Sequence, residues 1–265
     1  MIDYKDTSVL VTGGASGIGK ALAQALVAKG AFVALADVNA DGVNAAAHEI
    51  GANALPITID LAQPEAPAAL IAQAFAWRGR LDLVCSNAGI GQNRKIKNER
   101  LGPETERLFA VNLFAAVRIA QAYLRALEPS GARGRLMITG SENSLSVPTA
   151  VKGSGLGLYG ATKHSVLIMA EWLRDETIDT LDVHVLMPGA VYTPLIAQAL
   201  PDPSKAPAGL GLIMPERCAE IALKGMDLGL FYIPTHAHIG DDIQPRYEGI
   251  RNALQALGLH AATAP

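Results

Sequence analysis

The sequence predicts an α/β fold: a doubly wound, mostly parallel sheet of seven strands with helices on both faces, in a single domain spanning 1–265. Three observations predict it. Short apolar runs alternate with stretches of helix length, the β-α repeat that builds a parallel sheet with right-handed crossovers. The first apolar run leads straight into a glycine-rich turn and then a helix. Half of the 265 residues are hydrophobic and only 18% are charged, enough apolar material for a large buried core.

Composition narrows the function. The formal net charge of −3 comes with no basic concentration, which argues against nucleic acid as a partner. Two cysteines, Cys85 and Cys218, suggest neither a disulfide framework nor a zinc site and fit a reducing compartment. The stretch from Met1 to Asp6 is polar and lacks a signal-peptide core, and no apolar run reaches the ~20 residues a membrane helix needs. A cytoplasmic protein with no membrane partner is expected.

Thr7 to Val11 reads as a buried strand. It runs into Thr12-Gly13-Gly14-Ala15-Ser16-Gly17-Ile18-Gly19, and Lys20 to Lys29 reads as a helix. Residues without Cβ let the backbone approach a pyrophosphate, and the helix offers its unpaired N–H groups to that anion. The second strand, Ala31 to Ala36, ends at Asp37. An acid there, about 20 residues past the glycines, is placed to accept from a ribose 2′-OH and to repel a 2′-phosphate. No arginine follows it, so charge selects NAD over NADP.

Ala40 to Ile50 suits a helix, Ala54 to Ile59 a third strand ending in Asp60-Leu61, and Pro64 to Trp77 a helix with proline near its first turn. Leu81 to Ser86 is a fourth strand running into Asn87-Ala88-Gly89. Asp60 and Asn87 fall beyond the carboxyl ends of the strands, where ligands of such sheets sit, though either also suits a loop-capping role. Gly102 to Leu127 reads as one long helix with Asn112 as the odd polar residue on its apolar stripe.

Arg135 to Gly140 is the fifth strand, ending at Ser141, and Leu145 to Leu158 reads as a loop. A helix opens at Tyr159-Gly160-Ala161-Thr162-Lys163, which puts a phenol and an ammonium one turn apart on one face. A free tyrosine has a pKa of about 10, too high for ready proton exchange near neutrality, and a fixed positive charge lowers it. The pair is an acid–base device in prospect. His164 lies about 100° round the helix and should point elsewhere, in a structural role.

Asp182 to Met187 is the sixth strand, leading into Pro188-Gly189-Ala190-Val191-Tyr192-Thr193, and Leu195 to Leu200 suits a short helix. Pro215 to Leu228 suits a helix, Leu230 to Ile233 a seventh strand, and Asp242 to Leu257 a final helix. In the tail, 235–265, His236 and His238 are two apart with no third metal ligand evident, so a loop role or a place beside the pocket is expected and no metal. His260 to Pro265 should be loose.

These motifs, in this order over roughly residues 5–235, resemble those of the single-domain short-chain dehydrogenase/reductase family, whose fold is Rossmann-like. The resemblance implies that Gly13, Ser16, Gly17, Ile18 and Gly19 hold the pyrophosphate side of NAD and that Asp37 with Val38 holds the adenosine ribose. It implies that Asp60 and Leu61 flank the adenine and that Asn87, Ala88 and Gly89 line the cofactor cleft. Pro188, Gly189, Val191 and Thr193 would contact the nicotinamide end. The carbonyl of Asn112 would hold a proton-relaying water. Tyr159 would exchange the proton, Lys163 would lower its pKa and bind the nicotinamide ribose, and Ser141 would orient the substrate oxygen.

The gap from serine to tyrosine is longer here than the family's usual one, which leaves Ser144 and Ser146 as rivals. Ser141 is preferred because it directly follows the strand. The segment 190–215 would be a lid, and its Leu195, Ile196, Leu210, Leu212, Ile213 and Met214 suggest a hydrophobic or aromatic substrate; the alternative is a mobile surface loop. The Gly102–Leu127 helix and the Tyr159 helix would form a four-helix interface, giving a homodimer or homotetramer. The expected activity is NAD-dependent hydride transfer between a secondary alcohol and its ketone. The alternatives are a nucleotide-binding regulator without turnover and an epimerase or dehydratase using the same Tyr–Lys pair.

Overall fold

The computed structural model describes residues 2–198 and 200–259. Its strands are β1 (Ser8–Thr12), β2 (Phe32–Asp37), β3 (Ala54–Thr58), β4 (Leu83–Ser86), β5 (Gly134–Thr139), β6 (Leu181–Met187) and β7 (Tyr232–Pro234). All pair in parallel, in the order β3-β2-β1-β4-β5-β6-β7. The chain starts in the middle, winds outward to β3, then returns and winds the other way from β4. That reversal between β1 and β4 opens a crevice beyond their carboxyl ends. The expected strands are shifted by at most two residues at either end.

The helices are α1 (Gly17–Ala28), α2 (Ala40–Ile50), α3 (Ala66–Arg78), α4 (Pro103–Phe109), α5 (Ala115–Leu127), α6 (Gly157–Glu176), α7 (Pro194–Ala197), α8 (Pro215–Asp227), α9 (His238–Asp242) and α10 (Gln244–Ala256). They divide between two faces. Alternate strand residues such as Leu10, Val84, Leu136 and Val185 pack with α3, α5 and α6 on one side. Val9, Val11, Leu35, Cys85 and Leu186 pack with α1 and α8 on the other. Burying both faces is why the strands read as continuous apolar runs. Cys85 and Cys218 are free thiols in that second core, pushed up to about 12 by burial.

Four elements differ from expectation. The long helix is α4 and α5 joined by a π-turn over Ala110–Phe114, wound around Asn112. Asn112 accepts from Ile90 N at 2.8 Å and donates to Ile90 O at 2.9 Å, a tie that fixes the wider turn to the β4 loop. Including its final short turn, this run, Pro103–Ser130, is long and apolar enough to cross a membrane, but half of its most apolar window is buried and Ile119, Ala120 and Tyr123 belong to the core. Helix α1 starts at Gly17, three residues before the expected start, because the glycine turn itself supplies its first turn. Helix α6 starts at Gly157, so Tyr159 lies inside its first turn. The final helix is α10, two residues later at its start than expected, and an unexpected short helix, α9, precedes it; the two part at Ile243 ahead of Pro245, whose ring admits no helical N–H. The short helix expected over Leu195 to Leu200 is α7, Pro194–Ala197. The expectation for His260 to Pro265 lies outside the described residues.

Candidate functional site

A cleft of about 840 Å³ runs along the carboxyl ends of the strands. Its lining includes Gly13, Ser16, Gly17 and Ile18 from the first turn, Asp37 and Val38 after β2, and Asp60 and Leu61 after β3. Asn87, Ala88 and Gly89 follow from β4, then Ser141, Tyr159 and Lys163, and finally Pro188, Gly189, Val191 and Thr193. Of the expected site residues, Gly19 and Asn112 lie behind this wall rather than on it.

The turn after β1 is built for close approach. Gly13 and Gly17 have φ of +69° and +53°, the left-handed region that favours glycine. A Cβ on Gly19 would lie 2.1 Å from the Gly13 carbonyl oxygen, so the turn closes only with glycine there. Ser16 caps α1 with its backbone but makes no side-chain cap, leaving the first-turn amides to face the cleft. Thr193 packs its methyl where a Cβ of Gly17 would stand, 2.9 Å away, so it reaches the pyrophosphate turn as well as the Pro188–Gly189 loop. These donors and this cradle fit the diphosphate of a dinucleotide.

Asp37 accepts one backbone bond on each oxygen, from Asn39 N at 3.0 Å and Ala15 N at 3.1 Å. Each oxygen keeps a lone pair for a ribose hydroxyl. Asp60 is committed: it takes both guanidinium nitrogens of Arg107, at 3.0 and 3.2 Å, which hold its carboxyl below the usual range. Arg107 thus lines the same end of the cleft, although it lies far from Asp37 in sequence. The Asn87 amide is equally spent, on Thr12 O at 3.1 Å and Thr139 Oγ1 at 3.1 Å, tying β1, β4 and β5 together.

At the other end, the Lys163 ammonium is buried, donates to Thr139 O at 2.8 Å, and sits 5.9 Å from the centre of the Tyr159 ring. Burial pushes its pKa down to about 8. The Tyr159 phenol moves up: burial raises it most, the nearby Ser141 hydroxyl lowers it, and the Glu142 carboxylate raises it again. The sequence pattern implied the opposite direction for the phenol. Spacing reveals the neighbouring charge; it does not reveal that Lys163 is buried and Tyr159 half-buried, and here desolvation wins.

Ser141, Ser144 and Ser146 separate cleanly in geometry. Ser144 accepts from Ser141 N at 3.1 Å and donates to Lys163 O at 2.8 Å, a structural lacing of this loop to α6. Neither Ser144 nor Ser146 lines the cleft. Ser141 Oγ accepts from Asn143 N at 3.2 Å and Asn143 Nδ2 at 3.3 Å. A hydroxyl has two lone pairs, so both are used and its hydrogen is left to donate toward the cleft. His164 is turned away, with Nδ1 on Asn143 O at 2.7 Å and Nε2 on Arg246 at 2.6 Å.

The segment after β6 covers the cleft. Leu195 fills the space above Gly91, and Leu195, Ile196 and Leu210 line the cavity. Leu212, Ile213 and Met214 do not. Ile213 packs against the core and forms an isolated parallel bridge with Val191, and Met214 is half exposed. The extra residues between Ser141 and Tyr159 contribute Val151 and Leu156 to the wall. His236 joins the two sides: Gly189 N–H donates to Thr235 Oγ1 at 3.1 Å, the Thr235 hydroxyl to His236 Nδ1 at 2.7 Å, and His236 Nε2–H to Gly211 O at 2.8 Å. His238 bonds Glu142. Among the described residues, no group of three or more His, Cys, Asp or Glu side chains is gathered to hold a metal.

Glu142, Asn143 and Arg107 went unmarked in the sequence. Only the adjacency of the first two to Ser141 could have flagged them.

Comparison with known proteins agrees with this architecture. A family model described as short chain dehydrogenase matches residues 7–204. The 1-deoxy-11-beta-hydroxypentalenate dehydrogenase of Streptomyces avermitilis is 33% identical over 87% of this chain and 85% of its own. The 2,5-dichloro-2,5-cyclohexadiene-1,4-diol dehydrogenase of Sphingobium indicum is 32% identical over 76% of this chain and 78% of its own. Among solved structures, a short-chain dehydrogenase/reductase from Burkholderia phymatum in complex with NAD superposes with a TM-score of 0.83 at 21% identity, covering 100% of this chain and 99% of that one. A short-chain dehydrogenase from Sphingobium yanoikuyae in complex with NADPH gives 0.75 at 24% identity, covering 98% of each. The chain belongs to the short-chain dehydrogenase family.

Proposed function

We propose that this chain is an NAD-dependent oxidoreductase that transfers hydride between a hydrophobic secondary alcohol and its ketone. The observation that carries the reading is continuity: one cleft runs from the Asp37 carboxylate, past the uncapped glycine turn, to Tyr159, Ser141 and Lys163 beneath an apolar lid. When bound, the nicotinamide supplies the hydride acceptor and the positive charge of its oxidised ring. The chain's own residues do the rest. Ser141, with both lone pairs engaged by Asn143, donates to the reacting oxygen. Tyr159 exchanges the proton with that oxygen, and Lys163 has two N–H donors left after Thr139 for a ribose hydroxyl. The Asn112 side chain is spent on Ile90 and Thr162, so its part in a relay would fall to its carbonyl in the π-turn.

At pH 7 the resting pair is a neutral phenol beside an ammonium, the state that gives a proton to a developing alkoxide. Asp37 supports NAD: its carboxylate repels a 2′-phosphate, and Arg107 is neutralised by Asp60. The names of the two relatives, a hydroxypentalenate dehydrogenase and a cyclohexadiene-diol dehydrogenase, support a cyclic, largely apolar alcohol. The exposed Phe114, Ile168 and Trp172 on the α5 and α6 side support a homodimer or homotetramer.

The test is a panel of cyclic secondary alcohols with NAD+ and NADP+ in parallel, read by absorbance of the reduced cofactor. Wild type should prefer NAD+, and Tyr159→Phe should lose about 10²–10⁴-fold in turnover while still binding cofactor. Near-normal turnover in that variant refutes the assignment.

A further inference from the structure

The substrate end of the cleft is mostly apolar, with Asn93, Asn143 and Ser154 also on its wall. Val151, Leu156, Leu195, Ile196, Leu200 and Leu210 line it, and among them stands the carboxylate of Glu142. Glu142 directly follows Ser141 and opens the short turn Glu142–Ser144, so the acid and the substrate-facing hydroxyl ride on one rigid piece of backbone. Its side chain is only 9% exposed. A carboxylate so withdrawn from water needs donors. The chain supplies one: His238 Nε2 lies 2.8 Å from Oε2. Oε1 has no hydrogen-bond partner among the described residues.

The surroundings are shaped to admit this group. A Cβ on Gly189 would lie 2.7 Å from His236 Nδ1 and 3.1 Å from Glu142 Oε2, so a glycine there makes room for an imidazole and the carboxylate together. The other charges lining the cleft do not compete for the same ligand atoms. Asp37, Asp60 and Arg107 belong to the opposite end, the Lys163 ammonium is held on Thr139 O at 2.8 Å, and Lys205 is a rim residue, 78% exposed and 3.7 Å from Asp202. Glu142 is thus the buried acid on the substrate side, close enough to Tyr159 to raise its pKa.

We propose that Glu142, held by His238, is a specificity-determining residue that accepts from a second hydroxyl or an ammonium on the substrate beside the reacting carbinol. The preferred substrates are then vicinal diols and amino alcohols on an apolar ring, and a carboxylate at that position is excluded by like charge. This rests on the reading of Tyr159 and Ser141 as the reacting centre. Oε1 still meets the open cleft, so an analogue without the donor would shut water from it and leave it unsatisfied, and the site discriminates against that analogue.

The test compares cyclohexanol, 1,2-cyclohexanediol, 2-aminocyclohexanol and 2-hydroxycyclohexanecarboxylate with NAD+, alongside calorimetric binding of the diol and of cyclohexanol in the presence of NADH. Wild type should favour the diol and the amino alcohol over cyclohexanol by about 10- to 100-fold in kcat/KM, mostly through KM, and should refuse the carboxylate. Glu142→Leu should level diol with cyclohexanol. Glu142→Gln, which has the same shape and can keep the bond to His238, should lose the preference for the amino alcohol and begin to accept the carboxylate. Turnover with no diol preference, or a preference that Glu142→Leu leaves intact, overturns the anchor and spares the dehydrogenase reading. No turnover with diol-selective binding that Glu142→Leu abolishes has the reverse meaning. Neither turnover nor selective binding overturns both.

Discussion

Lys163 offers the sharpest test, because its burial has a pH signature that no neighbouring contact imitates. The ammonium is 3% exposed, and its pKa falls from 10.5 to about 8. At 1.36 kcal/mol per pKa unit, this is a burial penalty of about 3 kcal/mol against the folded state when the lysine is charged. The penalty is complete below pH 8, where folded and unfolded chains both carry the proton. Between pH 8 and 10.5 the folded chain is neutral while the unfolded chain still binds the proton, so stability rises with pH. Above 10.5 the penalty is gone.

Lys163→Met keeps the length and removes the charge. It also deletes the bond to Thr139 O, a loss that does not depend on pH because a neutral amine donates too. The variant should therefore gain on wild type at pH 7 relative to its standing at pH 10, by about 3 kcal/mol, or roughly 6–12 °C in Tm for a chain of this size. Urea unfolding of both proteins at several pH values between 7 and 10 reads this directly, since all other titrations cancel in the difference. Parallel stability curves across that range would refute the argument. In the wild type, the same titration predicts that activity depending on the cation falls on the alkaline side with a pKa near 8.

Asn143→Ala frees both lone pairs of Ser141 and should lower kcat by about 10-fold, yet add nothing in a Ser141→Ala background; a double-mutant cycle in kcat checks this. Gly19→Ala places a methyl 2.1 Å from the Gly13 carbonyl and should abolish cofactor binding measured by calorimetry. Asp37→Ser removes the carboxylate from the ribose end, and the ratio of kcat/KM for NAD+ over NADP+ should fall by about 10-fold or more. Trp172→Glu puts a charge on the exposed face of α6 and should yield monomers by light scattering.

The sheet was legible in the sequence because its signal is local and repeated: each buried strand is a run of apolar residues, and each is followed by a helix. The helix starts at Gly17 and Gly157 were not, since glycine scores poorly as a helix former and only the tertiary turn makes it the first helical residue. Likewise the residues that line the cleft from within motifs, such as Asp37, Asn87 and Tyr159, were readable by spacing. Those that arrive through folding were not. His238 reaches Glu142 across 96 positions and Arg107 reaches Asp60 across 47, distances over which one sequence carries no pairing signal. The phenol's direction of titration was hidden for a related reason, as exposure to water is a property of the whole packed cleft.

The string from Gly189 through Thr235 and His236 to Gly211 has a mechanical meaning. It stitches the Pro188–Gly189 loop, which lines the cleft, to the turn at Gly211 that follows the cleft-lining Leu210, with three hydrogen bonds in series. The three bonds hold the Gly189 loop and the Gly211 turn at one separation. An imidazole chosen for its two opposed nitrogens, one taking and one giving, acts there as a tie rod.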